Sequence, residues 1–103
     1  MIVTTLQTVP KREISEIIGI VDGVSIQATD PLRDMVSSVR DFFGGRAKGL
    51  EDSLKKARDT AIEDMLEEAE GIGATAVVGI RIDYEHLEQK FMTVVTGTAV
   101  RLE

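Results

Sequence analysis

Residues 50–72 repeat apolar side chains at helical period for about six turns, and this run constrains the fold more than any other. Leu50, Leu54, Ala57, Ala61, Met65, Leu66, Ala69 and Ile72 form the stripe. Glu51-Lys55 and Asp52-Lys56 pair in the favourable order on the opposite side. Gly73 suits the residue just past the helix end, with Gly71 as the rival cap. A stripe this long must be buried against another layer, and a chain of 103 residues has room for one such layer in one domain, residues 1–103.

That layer is a sheet, because the flanking segments repeat with period two. Residues 74–86 alternate Ala76, Val78, Ile80, Ile82 and Tyr84 with Thr75, Val77, Gly79, Arg81, Asp83 and Glu85. Residues 91–102 do the same and form the hairpin partner, although residues 87–90 lack the glycine that would identify the turn. Upstream, residues 14–28 place Ile18, Ile20, Val24 and Ile26 on one face. A bent strand and a hairpin turning at Asp22-Gly23 both fit that stretch. Residues 1–6 suit a small strand able to pair outside its own subunit. Thr29-Asp30-Pro31 starts a short helix whose apolar face is Leu32, Met35, Val36, Val39, Phe42 and Phe43, ended by Gly44-Gly45. The expected architecture is therefore two-layer α+β: an antiparallel sheet of order 1-3-2 on a long helix, with an extra short N-terminal strand and a short helix. The helices are expected to cover one sheet face. The other would carry Val21, Val77, Gly79, Val95, Gly97 and Ala99, and so small and apolar a face points to self-association, with Gly79 and Gly97 at the interface.

Composition excludes several functions. The net charge of -6 is wrong for a nucleic-acid binder. No apolar run is long enough to span a membrane, and Met1-Ile2-Val3-Thr4-Thr5-Leu6 lacks the basic start of a secretory leader. Cysteine is absent and His86 is the single histidine, so thiolate chemistry is removed and imidazole chemistry nearly so. No nucleophile-base-orienter set is visible: Ser15, Ser25, Ser37, Ser38 and Ser53 lie in no elbow motif. A non-enzyme is expected.

Three candidate sites remain. Asp59, Glu63, Asp64, Glu67, Glu68 and Glu70 crowd the C-terminal half of the long helix, against its dipole. They read as a solubilising face, or as partners for a divalent cation or for a neighbouring subunit's basic residues. Asp83, Glu85 and His86 offer mixed oxygen and nitrogen ligands for a borderline metal ion, although Asp83 and Glu85 share one strand face and His86 points to the other. Gly44-Gly45-Arg46 leaves backbone N–H groups beside a guanidinium, which suits an anion or an interface carboxylate. A doubled glycine is also an ordinary helix break.

Taken in order, Gly19-Ile20-Val21, Arg40-Asp41-Phe42-Phe43-Gly44-Gly45-Arg46, Ala57-Arg58, Gly73-Ala74-Thr75-Ala76-Val77-Val78-Gly79-Ile80, Asp83-Tyr84-Glu85 and Gly97-Thr98-Ala99-Val100 resemble the YbjQ-like family of small bacterial and archaeal proteins. The resemblance spans the chain. It implies a dodecin-like subunit in a homo-oligomeric ring, a pentamer, in the cytoplasm, with self as the partner and a divalent metal ion as the candidate cofactor. The family carries a heavy-metal-binding label but no catalytic residues to transfer. A ring-forming scaffold or small-ligand carrier with inter-subunit clefts is the alternative. Residues 87–90 depart from the family pattern, where glycine is common, and the absence of cysteine argues against soft metals in this member.

Overall fold

The structure, a computed structural model, describes residues 1–28 and 48–103. The short helix expected after Thr29, and the Gly44-Gly45-Arg46 motif, lie outside the described residues. The described elements run β1 (Ile2–Val3), β2 (Ile14–Ala28), α1 (Lys48–Gly71), β3 (Ala76–Leu87) and β4 (Lys90–Leu102).

Among the described residues one helix packs on one sheet, as the two periodicities require. The three long strands are antiparallel neighbours with β4 between β2 and β3. The sheet nevertheless differs from the expected antiparallel 1-3-2 arrangement. It has four strands in the order β1-β3-β4-β2, and it is mixed, because β1 pairs parallel to β3 through Ile2↔Ala76 and Val3↔Val77. The N-terminal strand is thus paired within its own chain. Its continuation stays on β3: Thr4 N–H donates to the Val77 carbonyl (3.0 Å), and Gly79 N–H donates to the Leu6 carbonyl (2.8 Å).

Residues 14–28 form one bent strand, not a hairpin. Register shifts at Ile14/Glu16 and Ile17/Gly19 mark bulges, and Asp22 and Gly23 pair straight across to Thr96 and Val95. The β3–β4 hairpin closes through Leu87↔Lys90, with Glu88 at φ 48 standing where a glycine would be at ease.

The helix ends as its sequence implies. Gly73 takes φ 83, its N–H donates to the Glu70 carbonyl and Ala74 N–H donates to the Ala69 carbonyl, each at 3.0 Å. This pair of bonds is the Schellman closure, so Gly73 is the cap and Gly71 is not. Arg101, reaching from β4, donates to the Gly73 carbonyl at 2.9 Å. A cation therefore sits at the helix C-terminus despite the carboxylates on the last turns.

The face that meets the helix is a correction. Ala57, Ala61, Met65 and Ala69 are fully buried, and the last three lie on Val21, Val77, Val95 and Ala99. The face expected to be open for self-association is the core, and Ile20, Val24 and Ile26 are outside. Helix and sheet approach through small residues. A Cβ on Gly23 would run into the Ala61 carbonyl and lie 2.7 Å from the Met65 nitrogen; one on Gly97 would lie 2.5 Å from Val77 Cγ1. An alanine stripe on a glycine-bearing face brings the two backbones together, which bulky isoleucines at the same positions would prevent. At one end of the outer face Ala76, Val78 and Val100 are covered by Val9, Ile14 and Leu102.

Candidate functional site

The three residues of the expected metal site all lie on β3. Asp83 and Glu85 pair with Val94 and Met92 and so share the outer face; His86 pairs with Phe91 and belongs to the other face. All three are exposed. Asp83 is engaged already, 3.6 Å from the Arg81 guanidinium. Among the described residues no group of three His, Cys, Asp or Glu side chains is gathered closely enough to hold a metal ion. The open depression at the hairpin tip, lined by His86, Leu87, Glu88, Gln89 and Lys90, adds no second imidazole. The ligand set of one subunit's described residues thus does not fit a heavy-metal centre: its donors are divided between two faces, and none is a thiolate.

Gly79 and Gly97 both meet their own chain. Gly97 sits beneath Met65, Val77 and Ile80. Gly79 occupies the bulge between Val78 and Arg81 at φ 60, where a left-handed backbone turns its N–H toward Leu6. The Gln7 amide lies 3.5 Å from where its Cβ would be.

The acidic half of α1 has divided duties. Asp64 accepts from Val24 N–H (3.1 Å) and Glu68 from Asp22 N–H (3.4 Å), so two carboxylates reach over the edge of β2 that has no neighbouring strand among the described residues. Asp59 is held by Arg58 at 3.1 Å. Glu63, Glu67 and Glu70 are exposed.

The feature that sequence reasoning missed is the outer face of β2. Ile20 is 81% exposed, Ile26 64%, Ile17 72% and Val24 42%. Val94 and Met92 of β4 lie beside Val24 and Ile26 in the same register, half-buried. Period two alone identifies this row but cannot say which face the helix takes. The signal was available in Gly23 and Gly97, which mark the side of closest approach. A second missed feature is Thr93, fully buried between Ser25 and Tyr84 with its hydroxyl unpartnered among the described residues.

Comparison with known proteins places the chain among relatives whose activity is undefined. The YbjQ-like family model, described as "Putative heavy-metal-binding", matches residues 1–103. A UPF0145 protein of Bacillus cereus is 48% identical over 103 residues, covering 99% of this chain and 100% of the relative. A UPF0145 protein of Geobacillus kaustophilus is 42% identical over 104 residues, covering 100% and 99%. A solved structure from Pediococcus pentosaceus, a DUF74-family protein of unknown function, superposes with a TM-score of 0.72 at 13% identity over 100% of this chain and 98% of that one. That likeness shows the fold. The sequence matches carry the family: this chain belongs to the YbjQ-like, UPF0145 family of uncharacterised proteins.

Proposed function

We propose that this protein is a non-enzymatic binding module that works as a homo-oligomer, a dodecin-like pentameric ring, and that its ligand sites are completed between subunits. The observation that carries the reading is the exposed row Ile20, Val24 and Ile26 on the outer face of β2. An exposed apolar strip on an edge strand, broken here only by Asp22, is costly in water and is the usual mark of an association surface. The cytoplasmic location rests on the family resemblance alone.

Metal binding is the finer part of the proposal. Symmetry can bring Asp83, Glu85 or His86 of several copies to one place, giving a hard or borderline site of oxygen and imidazole donors. Zinc, nickel or a group-two ion would bind weakly there, and less well on acidification, because ligands must be deprotonated. Copper(I) and mercury would show no preference. Calorimetry of chelator-treated protein against each ion tests this, and tight stoichiometric copper(I) binding that survives His86→Ala would contradict it.

The second reading, a scaffold or small-ligand carrier using inter-subunit clefts, is favoured by the separation of Asp83 and Glu85 from His86 across the sheet. Gly44-Gly45-Arg46 belongs to either reading as an anion or carboxylate contact. Arg46→Lys should then lower the melting temperature, since lysine cannot make a planar two-pronged contact. An unchanged melting temperature would remove that role.

A further inference from the structure

The edge of β2 ought to be a hazard. It is 15 residues long and lies at the end of the sheet order, with the exposed isoleucine row along it. Long apolar edge strands recruit further strands through their outward N–H and C=O groups. We infer that Asp64 and Glu68 close the middle of this edge to strand addition by a second copy of the chain. The inference stands apart from the ring reading, since it says where a neighbour cannot pair, whatever the native stoichiometry.

The geometry is a matched pair of repeats. α1 lies chiefly over β2 and runs antiparallel to it, so Glu68 meets Asp22 and Asp64 meets Val24. Two residues along a strand advance about 6.6–6.8 Å, and four along a helix advance about 6 Å. An i,i+4 pair of carboxylates therefore stays in step with alternate edge amides. A second chain adding at the edge needs those same two donors. The guard is short, because continuing the step reaches Thr60 toward Ile26 and Ile72 toward Ile20, and neither is a carboxylate. Strand addition is thus stopped at the centre, where Asp22 and Val24 sit.

The test uses the full chain in two double variants of equal charge. Asp64→Ala with Glu68→Ala removes both acceptors while keeping strong helix formers. Asp64→Asn with Glu68→Gln loses the same charge but keeps a side-chain oxygen at each place. In freshly diluted protein, the Asp22 and Val24 amides of the alanine variant should exchange at least about tenfold faster than in the amide variant, with Val77 and Val95 unchanged. On incubation at high concentration, the alanine variant should pass into larger, thioflavin-T-positive species, while the amide variant keeps the parent's size. Equal exchange in the two variants would overturn the inference. So would faster exchange in the alanine variant without any change in assembly.

Discussion

Gly23 carries more of the fold than any bulky residue on β2. Its missing side chain lets the Ala61 carbonyl and Met65 nitrogen come down onto the strand. Gly23→Ala must push helix and sheet apart, and we expect a loss of about 3 kcal/mol, read as a lower denaturation midpoint with an unchanged slope. Thr93 works the other way. Its buried hydroxyl lacks a partner among the described residues, and valine has nearly its shape and suits a strand. Thr93→Val should stabilise by about 1 kcal/mol, near 4–8 °C in melting temperature; a fall would show that the hydroxyl is satisfied in solution. At the hairpin tip Glu88 holds φ 48, so Glu88→Gly should gain up to about 1 kcal/mol by relieving left-handed strain.

At the scale of elements, some features were legible in the residues and others were not, for identifiable physical reasons. The long helix and the β3–β4 hairpin follow from periodicity because each has one buried face and enough turns or pairs to repeat. The Schellman end of α1 follows from Gly73, since the left-handed cap position tolerates few other residues. Which face of β2 meets the helix does not follow from hydrophobicity, because the more apolar face, with Ile20, Val24 and Ile26, is the one left outside, while the helix side carries Val21, Gly23, Ser25 and Gln27. Size settles it: the Ala57, Ala61, Met65, Ala69 stripe fits against Gly23 and Gly97, and the isoleucines are left outside. The pairing of β1 was illegible for another reason. Two residues carry no register signal, and the bond that anchors their continuation depends on the left-handed bulge at Gly79. Gly79→Ala keeps the space near Gln7 but strains the backbone. It should cost about 1–2 kcal/mol and speed amide exchange at Gly79's neighbour Ile80, whose N–H donates to the Thr4 carbonyl. Unchanged exchange there would mean that the N-terminal segment holds without the bulge. The candidate ligands and their division between two faces were legible from strand alternation, whereas the approach of Arg81 to Asp83 was not.

The described residues make a two-layer unit whose helix-facing side is packed and whose outer face is exposed along β2. Replacing Ile20 and Ile26 by serine removes apolar surface from the solvent side while leaving the helix contact through Val21, Gly23 and Ser25 untouched. The variant should keep its helical and strand signal yet lose self-association. Native mass spectrometry, paired with light scattering, of untagged protein at micromolar concentration reads the assembly directly. A single multimeric species, pentameric and shifted to monomer by Ile20→Ser with Ile26→Ser, is the predicted result. A parent protein that runs as an 11.3 kDa monomer under those conditions would contradict it.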